Sequence, residues 1–206
     1  MKDRMSTNKK IKQGIMYAVL AIVSIYTLFP IYFLFVNSFK SQKEIVASPI
    51  SLPASWDLSF LKNAAEQIKL GESVINTLLI TVAAVALIVL ISSVTAWMMV
   101  RNKTKGSSFL FLCFTAAMLI PFQSVMYPLV SLMENLGLKN TFGLILMYGG
   151  FGLSMTVFLY HGFFKGVPLS LEEAAVIDGA NIFQLFFNVV FPLVKPITAT
   201  VVITNA

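Results

Sequence analysis

Four long apolar runs limit what this sequence can fold into more than any other feature. They lie at about residues 15–36, 74–100, 107–133 and 141–164, and none of them contains an Asp, Glu, Lys or Arg. A membrane-spanning helix needs roughly 20 consecutive apolar residues, and each run is long enough. The glycine-rich GGFG at 149–152 favours close helix packing. The sequence therefore predicts an all-α fold, a polytopic transmembrane helical bundle.

The overall composition agrees with a membrane protein. Hydrophobic residues make up 57% of the 206 and charged residues only 12%, whereas about a quarter of a typical soluble domain is charged. Mean hydropathy is +0.83. The net charge of +6 could suggest nucleic-acid binding, but the basic residues lie between the apolar runs and form no continuous patch. We therefore expect contact with membrane lipid and none with nucleic acid.

A fifth apolar run, 196–206, has only 11 residues and is too short to cross a bilayer. We expect either a fragment or an incomplete last helix here. Residues 182–206 could alternatively be read as one span. Pro192 and Pro196 each remove a backbone donor and disfavour helical geometry in the preceding residue. We therefore favour a break near Phe191.

The distribution of Lys and Arg predicts the orientation, because these residues concentrate in cytoplasmic loops. Segment 1–14 has five and loop 101–106 has three, whereas loop 134–140 has one and the longer loop 37–73 has four, diluted by four acids. We expect a cytoplasmic N-terminus, external loops at 37–73 and 134–140, and a cytoplasmic loop at 165–195. The first run is too long for a cleaved signal peptide and lacks a small-x-small site, so it should remain as a helix.

The predicted cytoplasmic loop contains EEAAVIDGA, residues 172–180, in otherwise apolar surroundings. Ser170 is followed three residues later by Glu173. This is the pattern of a capping box and predicts a helix beginning at Leu171. Gly179 suits the left-handed conformation that commonly ends helices. The stretch therefore predicts a short helix that ends at a glycine turn.

A second helix should follow this glycine. Asn181 and Gln184 repeat the capping pattern, and a helix is predicted from about Ile182 to Phe191, where Pro192 stops it. The residues alone leave two interpretations of the helix pair. It is an interfacial connection between two spans, or it is a docking surface whose alanines permit close approach and whose carboxylates meet a basic groove.

No catalytic, cofactor or metal site is expected in this chain. Glu172, Glu173 and Asp178 have no nucleophile or histidine nearby in sequence. His161 is the only histidine, so no histidine cluster can hold a metal, and we expect it at the membrane interface. Cys113, the only cysteine, should be an inert packing residue. The sequence also lacks a phosphate-binding loop.

Polar residues inside a membrane are functional candidates. Gln123, Ser124 and Tyr127 lie between Pro121 and Pro128, two prolines that should kink the third span. The three side chains could line a translocation path for a neutral solute, or they could hydrogen-bond neighbouring helices. The spans hold no acid, Lys or Arg. This argues against an ion-coupled secondary carrier or channel, and no paired groups suggest an intramembrane enzyme.

The stretch EEAAVIDGANIFQLFFNVVFPLVKP resembles the EAA loop of permease subunits in binding-protein-dependent ABC importers. That family's pattern is Glu-Ala-Ala, three residues, Gly and then an apolar-x-Leu-Pro-like end. Glu173, Ala174, Ala175 and Gly179 match it, while Phe191 takes the place of the usual Leu. The Asp-Gly-Ala trio around Gly179 is similar to that of carbohydrate permeases.

Other stretches look like the maltose-type, MalG-like branch of carbohydrate permeases, among them NSFKSQKEI, VINTLLIT and FLYHGFFKGVPLSLEEAA. The resemblance covers nearly the whole chain. It implies the type I ABC importer permease fold for residues 15–206, with about five of an expected six spans. It also implies a multi-pass protein of the bacterial inner or plasma membrane.

The resemblance further implies a function and partners. The chain would pair with a second permease subunit as a heterodimer and carry a carbohydrate by alternating access, with an extracytoplasmic sugar-binding protein delivering the sugar. A cytoplasmic ABC ATPase dimer would use ATP and Mg, so this chain would be no enzyme and bind no cofactor itself. The implied ATPase-docking residues are Glu172, Glu173, Ala174, Ala175, Asp178, Gly179 and Ala180. Of these, Glu173 should pair with a basic ATPase residue and Gly179 should form the turn.

Overall fold

The structure is a computed structural model, and it describes residues 7–206. All regular secondary structure within that range is helical. Residues 1–6 of the expected cytoplasmic segment 1–14 lie outside the described residues, and residues 7–14 already belong to the first helix. The chain divides into two compact units, Met1–Ser73 and Val74–Ala206.

The first unit has one long helix and a tightly bonded loop. Its helices are α1 (Thr7–Asn37), α2 (Gln42–Ala47) and α3 (Ser59–Gln67). In the loop, the buried Lys40 ammonium group donates to the Ser48 carbonyl at 2.8 Å. The ring of Trp56 packs edge-on against Phe39 with the centroids 5.0 Å apart. The predicted external loop therefore has its own internal structure.

The second unit contains the remaining helices. They are α4 (Leu70–Arg101), which begins just before the boundary, α5 (Lys105–Ala117), α6 (Phe122–Asn135), α7 (Thr141–Phe164), α8 (Leu169–Ile177), α9 (Ile182–Leu193) and α10 (Lys195–Asn205). By length and composition α1, α4 and α7 can each cross a membrane. They correspond to the first, second and fourth apolar runs.

The third run bends sharply at one of the two prolines that were predicted to kink it. It forms two helices, α5 and α6, which meet at an angle of 102°. Pro121 has an extended backbone (φ −67°, ψ 136°) immediately before α6, and its ring removes the N–H that would continue α5. Pro128 lies inside α6, which continues through it. The chain therefore breaks sharply at the first of the two prolines.

The last run also breaks, but at Val194 instead of near Phe191. The angle there between α9 and α10 is 77°, and α9 continues through Pro192 to Leu193. A proline ring normally clashes with the carbonyl four residues earlier in an α-helix. Residues 185–190 form a π-helical segment, and this wider turn relaxes that conflict. The predicted stop at Pro192 is therefore wrong.

The core of the second unit lies where α4, α7, α9 and α10 meet. Tyr160, Phe164, Val190 and Val201 have almost no exposed surface, and the Tyr160 hydroxyl donates to Thr198 at 2.9 Å. Elsewhere the long helices expose many apolar side chains. Such exposed apolar faces suit lipid or a partner subunit.

Two glycines in the GGFG stretch allow close helix packing, as predicted. A Cβ added to Gly149 would lie 2.8 Å from Leu87 of α4, and one added to Gly152 would lie 2.9 Å from the side-chain oxygen of Asn205 of α10. Gly150, between them, faces open space. The missing side chains therefore let α7 approach both neighbouring helices.

Candidate functional site

The predicted helix–glycine–helix loop is formed by α8, Gly179 and α9. Gly179 has a φ of +86°, a left-handed conformation that glycine adopts without steric cost. Its N–H donates to the Val176 carbonyl, and the N–H of Ala180 donates to the Ala175 carbonyl, both at 3.0 Å. These two bonds form a Schellman motif that ends α8. The glycine turn predicted from the sequence is therefore confirmed.

The two predicted capping boxes have different outcomes. The one at Asn181 is present, because its side chain accepts from the Gln184 N–H and the Gln184 side chain accepts from the Asn181 N–H, both at 2.9 Å. The one at Ser170 is wrong. Helix α8 begins at Leu169, two residues earlier than predicted, with Pro168 at the cap position and no side-chain cap. Ser170 therefore lies inside the first turn, where its side chain cannot cap.

The two adjacent glutamates of α8 lie in opposite environments. Glu172 is only 5% exposed. One of its carboxylate oxygens accepts from Arg101 Nε at 2.9 Å and from Arg101 Nη2 at 2.6 Å, and the other accepts from Trp97 Nε1 at 3.0 Å. Arg101 Nη2 also donates to the Val167 carbonyl at 3.1 Å. These contacts connect the end of α4 to the start of α8.

Glu172 was expected to be a docking residue, and this geometry corrects that expectation. Its carboxylate is hydrogen-bonded to Arg101 and Trp97 within the chain and is not available to an outside partner. Glu173, on the next position, is exposed, as is Asp178. Of the other expected docking residues, Ala174 and Gly179 are exposed, whereas Ala175 and Ala180 are half-buried.

The π-helical segment of α9 provides the second attachment of the loop. Leu185, Phe186 and Val190 are buried in the core. The ring of Phe186 packs against the indole of Trp97 with the centroids 5.3 Å apart. Trp97 therefore contacts both halves of the loop, through its N–H to Glu172 and through its ring to Phe186.

Sequence reasoning missed the apolar part of the outer loop surface. Ile177 is 85% exposed and Phe183 is 73% exposed, and Val176 and Ile182 are more than half exposed. We call these four side chains, together with Glu173 and Asp178, the outer loop face. The available signal was the presence of bulky apolar residues in a segment expected to lie outside the bilayer. Exposed apolar patches of this kind mark interaction surfaces.

The expected path residues lie on the exposed side of α6. Gln123 and Ser124 are exposed, and Tyr127 is 79% exposed. The opposite side of α6, including Val125 and Leu129, lines a cavity shared with α7. Within residues 7–206, the three expected path residues form no hydrogen bond to another helix. They remain candidates for a path formed with another subunit.

One expectation for a single residue differs from the structure, and another stays a prediction. His161 is buried within the chain, with its ring stacked on Phe111 at a centroid distance of 3.8 Å, and its expected place at the membrane interface stays a prediction. Cys113 is exposed on α5 and does not pack inside the chain. An apolar membrane helix need not bury its side chains within its own chain.

The sequence matches a described protein family over more than half its length. Residues 88–206 match the family described as "Binding-protein-dependent transport system inner membrane component". This match includes α7 and the whole helix–glycine–helix loop.

Curated relatives have names that describe sugar transport. The chain is 44% identical over 184 residues to the probable starch degradation products transport system permease protein AmyC of Thermoanaerobacterium thermosulfurigenes, covering 89% of this chain and 67% of the relative. It is 34% identical over 193 residues to the diacetylchitobiose uptake system permease protein NgcG of Streptomyces coelicolor, covering 93% and 64%. The chain thus spans about two thirds of the length of these relatives.

A solved structure is also similar. It is the crystal structure of a bacterial ABC transporter involved in the import of the acidic polysaccharide alginate, and one of its chains matches with a TM-score of 0.77. Sequence identity is 26%, and the match covers 98% of this chain and 71% of that chain. The match supports the all-α permease fold expected from the sequence.

Proposed function

This chain belongs to the family of binding-protein-dependent transport system inner membrane components, and we propose that it is the permease subunit of an ATP-driven sugar importer. It carries a carbohydrate across the membrane by alternating access, and the loop formed by α8 and α9 docks to a cytoplasmic ABC ATPase. The names of the relatives describe sugar permeases, which supports a carbohydrate substrate. They do not favour the alternative of an ion-coupled carrier or channel.

One observation carries this proposal. The loop is attached firmly on its inner side, through Glu172 and Phe186, and carries acidic and apolar side chains on its outer side. A merely interfacial connection would bury its apolar residues in lipid and would not need a buried ion pair. A docking element needs both features, because it must bind a partner and transmit the partner's movement without deforming.

The attachment suggests how movement reaches the membrane helices. When the ATPase dimer closes on ATP, the docked outer loop face moves with it. The Arg101–Glu172 pair transmits this displacement to the end of α4, and the contact between Trp97 and Phe186 transmits it to the core. A rigid coupling of this kind permits conversion between inward-open and outward-open states.

The proposed partners follow from the exposed surfaces. A second permease subunit, giving a heterodimer, covers exposed apolar helix faces, with the sugar path between the two subunits. Gln123, Ser124 and Tyr127 fit such a path, because neutral hydrogen-bonding groups and an aromatic ring suit a carbohydrate. An extracytoplasmic sugar-binding protein delivers the substrate at the predicted external loops. The ATPase subunits use ATP and Mg.

The proposed location is the bacterial cell membrane. The chain crosses this membrane several times, and its N-terminus is cytoplasmic.

Charge reversal at Glu173 tests the docking assignment. The exposed carboxylate is expected to meet a basic ATPase residue, so Glu173→Lys should release the ATPase from the complex and abolish sugar uptake. Glu134→Lys is the matched control for ATPase retention, since Glu134 is an exposed carboxylate of the predicted external loop, and it should leave co-purification of the ATPase unchanged. Membrane insertion is measured for both variants, and co-purification of the ATPase is the main readout. Full ATPase retention and full uptake by Glu173→Lys would refute the assignment.

A further inference from the structure

A basic cavity lies at one end of the second unit and belongs neither to the loop nor to the expected sugar path. Its volume is about 550 Å³, within the range of about 300–1,000 Å³ common for small-molecule sites. It opens where α4 ends, α5 begins and α7 ends. Its polar wall is formed by Arg101, Lys103, Ser107, Ser108, His161 and Lys165.

The charges in this basic cavity are not balanced. Arg101 is neutralised by Glu172, but Lys103 and Lys165 take part in none of the ion pairs formed within residues 7–206. No Asp or Glu belongs to the cavity lining. Lys103 and Lys165, both exposed, therefore line one concave space that has no acidic residue in its wall, which favours an anionic ligand.

Neutral groups at the cavity add to this preference. Helix α5 begins here with Thr104 as its cap, and a helix N-terminus carries about half a positive charge and attracts phosphate groups. The Ser108 hydroxyl group donates to the Thr104 carbonyl at 3.2 Å, whereas the Ser107 hydroxyl group, 3.1 Å from the Thr104 hydroxyl oxygen, can accept from Thr104 and donate to an oxygen atom of an anion. The combination of lysines, one hydroxyl donor and a helix start is chemically suited to phosphate.

The remaining wall of the cavity is apolar. The ring of Phe111, stacked on His161, and the side chains of Met99 and Val100 form it. All three bordering helices are apolar along most of their length, so the cavity lies at the boundary between charged loop and hydrophobic surface. Basic pockets of this kind between membrane helices suit phospholipid head groups.

We propose that the basic cavity binds a phosphate group, with Lys103 and Lys165 as its principal cationic contacts. This chemistry is shared by the head group of an anionic phospholipid and by free phosphate. The site is distinct from ATPase docking and from the sugar path. Its occupancy fills the space between the ends of α4, α5 and α7, beside the Arg101–Glu172 pair that holds the loop.

The test is a binding measurement on the full complex. The complex is purified in neutral detergent, stripped of lipid and titrated with phosphatidylglycerol, and bound lipid is counted by native mass spectrometry. Lys103→Gln/Lys165→Gln should weaken phosphatidylglycerol binding by at least about tenfold. The matched control is Lys62→Gln/Lys69→Gln, which removes two exposed lysines of the first unit and should leave binding unchanged. Lys165→Gln alone should give an intermediate loss.

Two further binding experiments identify the source of the phosphate group. Displacement of phosphatidylglycerol by inorganic phosphate would support a site for free phosphate, whereas resistance to displacement would support a lipid head group. Equal binding of zwitterionic phosphatidylcholine by the wild type would overturn the proposal, as would unchanged binding by the double variant. The readout needs neither sugar nor ATP. The outcome is therefore separate from that of the Glu173→Lys experiment.

Discussion

Arg101, the last residue of α4, holds Glu172 of α8 at 2.6 Å across 71 positions of sequence. The pair is mostly enclosed, since the side chains are 19% and 6% exposed. Trp97, one helical turn before Arg101, completes the bonding of the carboxylate. The loop is therefore attached to a long membrane helix by one carboxylate, while the next carboxylate in the chain remains available outside.

Neutralising Glu172 should destabilise the chain far more than neutralising its neighbour. Glu172→Gln leaves the Arg101 charge enclosed without a counterion, at a cost of roughly 3 kcal/mol. Glu173→Gln changes an exposed side chain and should stay within about 0.5 kcal/mol of wild type. The free energy of unfolding in mixed detergent–SDS micelles measures both. Equal values for the two variants would contradict the structural role of Glu172.

The two nearby phenylalanines of α9 should separate docking from stability. Phe186 is 3% exposed, and Phe186→Ala should cost about 3–5 kcal/mol in unfolding free energy by leaving a cavity beside Trp97. Phe183 is 73% exposed, so Phe183→Ala should leave stability nearly unchanged. It should nonetheless weaken ATPase binding, because it removes an apolar contact from the outer loop face. ATPase co-purification that remains intact in a stably folded Phe183→Ala variant would remove this residue from the docking surface.

Substitution of Gly179 should loosen the loop locally. A Cβ there meets no atom within 4 Å, so the cost of Gly179→Ala comes from the left-handed backbone, about 1–2 kcal/mol. Hydrogen exchange of the α8 and α9 amides should rise about five- to thirtyfold. Gly162→Ala is the control, since Gly162 also faces open space but has an ordinary helical φ. Exchange should not rise in Gly162→Ala, and an equal rise in both variants would disprove the backbone explanation.

Gly143 should be the least replaceable glycine of α7. A Cβ at Gly143 would lie 2.8 Å from the carbonyl carbon of Leu138 and would collide with its oxygen. Backbone cannot move aside as a side-chain tip can, so Gly143→Ala should cost at least about 1–3 kcal/mol. Gly150→Ala, in the same helix, adds a Cβ in open space and should be neutral or slightly stabilising. The thermal unfolding midpoints of the two variants in detergent test this difference. Equal midpoints would show that the loop before α7 adjusts to the added Cβ.

Several elements of the site could be read from local sequence. The turn at Gly179 and the capping box from Asn181 to Gln184 depend only on residues within one or two helical turns, and both occur as predicted. The predicted stop at Pro192 failed because a π-helical segment precedes it, and within this segment Phe186 is buried against Trp97. That contact is made 89 positions apart and leaves no local signal.

The sequence by itself determined that the chain is helical, crosses a membrane and carries a helix–glycine–helix loop, because these properties follow from long apolar runs and from local capping chemistry. Only the tertiary structure decided which carboxylate of the Glu172–Glu173 pair faces inward. Apolar residues of α8 lie on every side of the helix, so their periodicity could not show which of the two glutamates faces inward. Arg101, read from sequence only as a marker of the cytoplasmic side, settles the difference by its position at the end of α4. A buried ion pair between distant helices depends on packing geometry, which no short stretch of sequence specifies.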